Sequence, residues 1–338
     1  MKGFRTRTAV VLVNLGTPAE LTASSVRRFL RQFLGDRRVV EIPRPVWWLI
    51  LNLFVLPLRP RKVVETYSEV WTDAGSPLRV ITEQQVERLQ ERFDQEMGDT
   101  SPLICHAMTY GEPAIAKVLD SLQQQGIRRI VILPMYPQYS GSTTAAVTDQ
   151  VADYMKSCRY VPSINLIGSY FWEQPYIEAL AKSIREFWQQ HGKGEKLLFS
   201  YHGIPQSYAD KGDPYPGHCE CTTGATAASL GLTENDYEMS YQSRFGKAEW
   251  VKPYTAERVE QLAKEGVKKL DVVCPAFAAD CIETLEEISM ENGEIFEEAG
   301  GEELRLIPCL NASQAHIDAL FGILRLHVLS QQSGTDRS

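Results

Sequence analysis

Two groups of residues in this 338-residue chain have the types and spacing to do chemistry. His202 stands in Ser200-Tyr201-His202-Gly203, at the end of an apolar run that reads as a strand. An imidazole of ordinary pKa, near 6.5, is largely neutral at pH 7 and accepts a proton or binds a metal. A histidine in such a place is either satisfied by backbone or reactive. The second group is Glu283, Glu287 and Glu291, which recur every four residues behind Asp280 and Cys281. In a helix that spacing stacks the carboxylates on one slowly drifting stripe, and a π-turn would align them further. Like charges so placed cost about 0.2 to 0.5 kcal/mol per pair. The stripe is therefore either a solvated acidic face, in keeping with Glu286, Glu294, Glu297 and Glu298 nearby, or a row of hard oxygen ligands that leads a divalent cation inward.

Other signals are weaker. His218-Cys219-Glu220-Cys221 brings soft ligands close together but lacks the paired C-x-x-C spacing of a structural zinc site. Gly141-Ser142-Thr143-Thr144, after Pro134-Met135-Tyr136-Pro137-Gln138-Tyr139-Ser140, is rich in hydroxyls. It suits an anion at a helix N-terminus and equally suits a plain cap. His191, His316 and His327 lie on or beside helical stretches and read as surface or core residues. There is no G-x-G-x-x-G, Walker A or H-E-x-x-H sequence, which disfavours several nucleotide and protease chemistries.

The elements that must carry these residues alternate between short β-branched runs and amphipathic stretches, the pattern of a parallel α/β architecture. Strands are expected near Ala9 to Leu15, Leu103 to Met108, Ile130 to Leu133 and Asn165 to Ile167. A second set is expected at Leu197 to Ser200, Tyr237 to Tyr241, Leu270 to Cys274 and Leu304 to Ile307. Between them Thr82 and Gln85 suggest a capping box, Pro113 a first helical turn, and Gly126 and Gly192 helix ends. The pattern divides into domains of residues 1–168 and 169–338. Gly126-Ile-Arg-Arg-Ile-Val-Ile-Leu before Pro134 parallels Gly266-Val-Lys-Lys-Leu-Asp-Val-Val-Cys before Pro275, and Leu15-Gly16-Thr17-Pro18 parallels His202-Gly203-Ile204-Pro205. Two matches in the same order favour duplication and make Leu15 and His202 equivalent positions. Ligands of open parallel sheets bind beyond the carboxyl ends of the strands, where both residues fall.

Composition bounds the rest. Thirty-five Lys and Arg against 43 Asp and Glu give a net charge of -8, so a whole-protein electrostatic case for nucleic acid fails. Seven scattered cysteines do not form a disulfide framework, and a reducing cytoplasm is the simpler expectation. The N-terminal MKGFRTRTAVVLVNLG starts basic and turns apolar, but without a small-x-small cleavage site it reads as a buried strand. Val46 to Leu58 holds 11 apolar residues of 13, too few for a spanning helix, and is interrupted by Asn52 and Pro57. Flanked by Arg44, Arg59, Arg61 and Lys62, it fits either a buried helix or an apolar surface helix resting on an anionic membrane.

Six motifs in order, VNLGTP at 13–18, LPMYPQYSGSTT at 133–144, FSYHGIP at 199–205, KGDPYP at 211–216, YQSRFGKAEWVKP at 241–253 and CPAFAADCIETLEE at 274–287, together resemble ferrochelatase across nearly the whole chain. The resemblance implies insertion of Fe²⁺ into protoporphyrin IX to give protohaem with release of two protons. It implies two similar Rossmann-like, chelatase-type domains, each with a mainly parallel four-stranded sheet flanked by helices, with the last helix packing back on the first domain. By motif, His202 and Glu283 take the places of the residues assigned to iron binding and pyrrole proton removal. Leu15, Tyr110, Tyr139, Ser140, Thr143, Trp250 and Phe277 match substrate-binding positions, and Asp280, Glu287 and Glu291 an acidic proton or metal path.

The chain also departs from the family pattern. Cys281 replaces a histidine found in some members, and Thr109 stands where relatives often carry a base. Gly141 lies where animal members have a cluster cysteine, so an iron-sulfur cluster is not expected and no cofactor beyond substrate iron is implied. A monomer is expected, in peripheral contact with the inner membrane or with the enzyme that forms the porphyrin. A cobalt chelatase acting on a corrinoid precursor and a non-catalytic porphyrin carrier are the rival readings; the AEWVKP and PAF contexts disfavour the first, and turnover decides the second.

Overall fold

Eight apolar runs become the eight strands seen in a computed structural model that describes residues 7–332. The first four are β1 (Thr8–Asn14), β2 (Leu103–Met108), β3 (Arg129–Pro134) and β4 (Ser163–Leu166). The second four are β5 (Lys196–His202), β6 (Tyr237–Gln242), β7 (Lys269–Val273) and β8 (Glu303–Leu306). They form two parallel sheets, ordered β2-β1-β3-β4 and β6-β5-β7-β8. The order is the same in both, with the first strand of each half central. Every side chain of β1 is buried, as a parallel strand covered by helices on both faces requires.

The likeness extends past the strands. After β2 the Met108 N–H donates to the Pro113 carbonyl (2.7 Å), and after β6 the Tyr241 N–H donates to the Pro253 carbonyl (2.8 Å). The chain divides into two compact units, one comprising the stretch through Tyr136, Gly141–Ser169 and the final helix from Ile317, the other Pro137–Ser140 and Tyr170–His316. The first has a core of Val11, Val13, Ile130 and Ile132 against the helices Ile115–Gln124 and Thr144–Ser157. The second packs Leu197, Phe199 and Tyr201 on one face of its sheet and Leu198, Leu270 and Val272 on the other.

Three local expectations are corrected. Thr82 and Gln85 do not open a helix: they lie inside Pro77–Met97, which starts at Pro77 behind Ser76, and both are fully buried. Thr82 donates its hydroxyl to the Leu78 carbonyl and accepts the Asn14 amide, so its polarity serves tertiary structure. Pro113 lies before its helix, which begins at Ile115. The fifth strand runs two residues past Ser200, so that His202 is its last residue, in register with Gln242. The apolar run at 46–58 forms a continuous helical path, Arg44–Ile50, a π-turn Leu51–Val55, then Leu56–Val70. Pro57 stands just past the π-turn and Pro60 lies inside the next helix, yet the path stays helical through both. No helix among the described residues is long and apolar enough to cross a membrane.

A buried polar chain supports the segment that carries the acidic row. Asp280 takes donors from the Thr284 hydroxyl (2.9 Å), the Asn311 amide (2.6 Å) and the Cys309 N–H (3.3 Å). Asn311, in the left-handed region at φ 47°, which Asn tolerates better than most residues, accepts the Asp280 N–H at 2.8 Å. His316, fully buried, holds the Asn311 carbonyl with Nδ1 at 2.5 Å, while its buried Nε2 has no hydrogen-bond partner among the described residues. Burial accordingly lowers the His316 pKa to about 4. The folded protein keeps it neutral while the unfolded chain takes up a proton near pH 6.5, so the stability tied to this group is complete above pH 6.5 and is lost as pH falls toward 4. Wild-type protein is expected to lose about 2 kcal/mol from this source between pH 7 and pH 5. Denaturant melts of His316→Asn, which keeps a donor but cannot titrate, are expected to show a correspondingly smaller drop; a drop of wild-type size would refute the assignment.

Candidate active site

His202 reaches the edge of its sheet because β5 is the central strand and ends there. Its Nδ1 lies 2.7 Å from the Gly203 carbonyl, a group that only accepts, so Nδ1 carries the proton and Nε2 presents a lone pair. The ring is flanked by Trp250 and Phe277, each with its centroid 6.4 Å away. Gly203 makes this wall feasible: a Cβ there would sit 3.1 Å from the Trp250 ring and 3.0 Å from the Gln242 carbonyl. The Trp250 indole N–H is anchored on the Phe245 carbonyl at 3.0 Å.

The acidic row starts one loop after β7. Cys281 caps the short helix Ile282–Leu285, with Thr284 completing a reciprocal capping box. Glu287–Glu291 is a π-turn, and the helix resumes over Asn292–Glu298. Four residues of α-helix overshoot a full turn by about 40°, and the wider turn removes the excess, so the sequence expectation of an aligned row has a structural basis. Asn292 stabilises the irregular turn by donating its amide to the Glu287 carbonyl at 2.7 Å.

Within the row the environments differ. Glu283 is half-buried and Glu291 exposed. Glu287 is held by the Ser243 N–H (2.6 Å) and hydroxyl (2.5 Å), with the Gln242 amide at 3.3 Å. Burial pushes the Glu287 carboxyl above the usual carboxylate range; the Ser243 hydroxyl, the positive charge His202 gains once its Nε2 takes up a proton, and the Ser243 N–H pull it back, and Glu283 adds to the rise. Glu287 thus feels both His202 and Glu283. Gln242 also donates to the Glu283 carbonyl at 2.6 Å and accepts the Ser200 hydroxyl at 2.8 Å. Gln242 and Ser243 were not singled out from sequence, although the YQSR stretch contains both.

The second unit therefore gathers His202, Trp250, Phe277, Glu283 and Glu287, with Asp280 buried beneath as an anchor whose oxygens already have donors. Tyr139 and Ser140 also belong to it. The Tyr139 N–H donates to His218 Nδ1 (3.2 Å), and the Ser140 hydroxyl donates to Asp213 (2.9 Å). The other candidates lie in the first unit. Leu15 follows β1, and Tyr110 is buried with its hydroxyl on Asp36 (2.9 Å) and its ring against Phe33. Thr143 is the N-cap residue of Thr144–Ser157. In the HCEC stretch, His218 stacks on Phe171, Cys219 is buried and Cys221 is exposed. Among the described residues no three His, Cys, Asp or Glu side chains converge as a ready metal cage.

A ferrochelatase family model matches residues 7–328. A ferrochelatase of Psychrobacter sp. (strain PRwf-1) is 52% identical over 314 residues, covering 93% of this chain and 92% of its own. One from Acinetobacter baumannii (strain ACICU) is 47% identical over 322 residues, 95% of each chain. Among solved structures, SirB from Bacillus subtilis with Fe3+ matches 98% of this chain and 100% of its own with a TM-score of 0.58, at 10% identity, a likeness of fold alone. The two halves share the chelatase architecture, and the chain belongs to the ferrochelatase family, the metal chelatases that insert iron into porphyrin in haem synthesis.

Proposed function

We propose that the porphyrin is protoporphyrin IX and that His202 and Glu283 carry the chemistry. The observation that bears most weight is the fixed tautomer of His202: with Nδ1 committed to the Gly203 carbonyl, Nε2 is a ready base beside an aromatic wall. A flat porphyrin hides its nitrogen lone pairs in the ring plane and carries two N–H protons. Trp250 and Phe277 supply apolar surface against which the macrocycle is held bent, for about 1 to 5 kcal/mol of strain drawn from binding elsewhere on the ring. In the bent ring His202 Nε2 accepts a pyrrole proton. Glu283, backed by Glu287 and then the exposed Glu291, provides carboxylate oxygens for Fe²⁺ or an outlet for the protons. Both N–H protons leave as Fe²⁺ takes their place, so charge balances; iron is substrate in this reading and no resident cofactor takes part.

His202→Ala and Glu283→Gln are each expected to slow iron insertion at least 100-fold while porphyrin still binds. Properly folded variants with near-wild-type turnover would overturn the assignment. Assaying protoporphyrin IX beside coproporphyrin tests the substrate, and equal or better use of the latter counts against the choice made here.

Delivery of so apolar a substrate accounts for the helical path at 44–70. Val46, Trp48, Leu49, Leu53, Phe54 and Leu58 are exposed along it, Trp48 and Phe54 to 62% and 60%, with Arg44, Arg59, Arg61 and Lys62 at the flanks. Trp47 points inward, 6% exposed, with its indole N–H on the Leu34 carbonyl. An exposed apolar face rimmed by cations suits an anionic lipid surface. Trp48→Ser with Phe54→Ser is expected to weaken binding to phosphatidylglycerol vesicles about tenfold or more, with soluble iron insertion little changed. Unaltered vesicle binding would refute the surface.

A further inference from the structure

The turn at Gln242 and Ser243 lies outside both candidate catalytic groups yet touches each. Gln242 ends β6 in register with His202, and its carbonyl accepts the Gly203 N–H at 2.8 Å. Its side chain is locked by the Ser200 hydroxyl on Oε1, which turns Nε2 toward the Glu283 carbonyl and the Glu287 carboxylate. Ser243 then spends two donors on a single carboxylate, N–H to Oε1 and Oγ–H to Oε2 of Glu287. Such a two-point grip fixes the plane of the carboxylate as well as its position. Ser243 does this at φ 63°, in the left-handed region that glycine enters without cost. What serine adds there, and glycine lacks, is the hydroxyl.

We propose that Ser243 is a positioning residue for iron insertion: its N–H and hydroxyl hold the Glu287 carboxylate in a set orientation behind Glu283, and Gln242 ties that orientation to the strand end bearing His202. The proposal rests on the reading of Glu287 as part of the iron and proton row. A loosely held Glu287 would swing toward solvent, and the row would lose continuity at its middle member. Porphyrin contacts, made by other side chains, would be unaffected.

The test compares Ser243→Ala, Ser243→Gly and Glu287→Gln in steady-state assays varying Fe²⁺ and porphyrin separately, with thermal melts to verify folding. Alanine and glycine both remove the hydroxyl, but only alanine keeps a Cβ in the strained conformation. Positioning predicts that both lower kcat/KM for Fe²⁺ about tenfold, the size of one lost hydrogen bond to a charged group, with KM for porphyrin unmoved. A purely conformational role predicts wild-type kinetics for Ser243→Ala, which keeps the Cβ and left-handed backbone of the serine, and altered kinetics for Ser243→Gly alone, which overturns the proposal. If Glu287→Gln is impaired while both serine variants match wild type, the grip is dispensable and only the proposal fails. Wild-type kinetics for Glu287→Gln itself defeats the reading of the row and the proposal with it.

Discussion

The parallel register of β5 with β6 is the constraint on which the site depends. It places the Cα of His202 opposite that of Gln242 at the last rung of the ladder. Beyond that rung the ladder's backbone groups must find other partners, and they do so through functional residues. The Gly203 carbonyl takes the His202 imidazole, the Gln242 carbonyl takes the Gly203 N–H, and the Ser243 N–H takes Glu287. A slip of one residue would turn the alternate side chain outward at every position. It would exchange His202 for Tyr201, which is wholly buried with its hydroxyl paired to Thr223. Core and site are thus specified together: the packing of Phe199 and Tyr201 on one face fixes where the imidazole emerges.

The acidic row shows how such a frame tolerates repulsion. Carboxylates four apart on a helix disfavour one another, and burial of Glu287 adds to the cost of its charge. Opposing this, Ser243 and Gln242 supply donors, and the π-turn gains the Asn292 amide for a carbonyl it loosens. Beneath the first member, Asp280 is satisfied by Thr284, Asn311 and Cys309, so it acts as a fixed dipole anchor for the helix start. Identical side-chain types along one segment therefore have different physical roles, set by the number of donors aimed at each.

Much of this frame was legible from sequence because strands buried on both faces must be nearly continuous apolar runs, as β1 and β5 are. The four-residue recurrence of glutamates is likewise a local signal, and the family resemblance singled out the histidine and glutamate. Two kinds of feature escaped. Thr82 and Gln85 imitate a cap because the polar spacing of a capping box also arises mid-helix when a hydroxyl serves a distant partner, here Asn14. Gln242 and Ser243 went unremarked because their partners lie some forty residues onward, on a helix whose approach is set by tertiary packing; nothing in a local window marks a serine for the left-handed region. Trp47 and Trp48 are adjacent and chemically identical, and only the packing against Leu34 separates the structural one from the exposed one.

The duplicated frame explains why chemistry concentrates at particular strand ends. The Met108–Ala114 and Tyr241–Tyr254 pairings make Thr109 the counterpart of Gln242 and Tyr110 that of Ser243, just as Leu15 answers to His202. In the first half these positions are apolar or turned inward: the Thr109 hydroxyl bonds the Asn14 carbonyl, and the Tyr110 ring packs on Phe33. In the second half the same backbone positions bear an imidazole, held on the Gly203 carbonyl, and an amide and a hydroxyl that both bond to the acidic row. The loops after β3 and β7 diverge in the same sense, the first leading to hydroxyls at Ser142, Thr143 and Thr144, the second to carboxylates at Asp280, Glu283 and Glu287. Since sheet order and strand-end hydrogen bonding are common to both, the difference in capability cannot come from topology. It comes from which side chains occupy the few positions beyond the last rung, where a residue is held by backbone on one side and left open on the other.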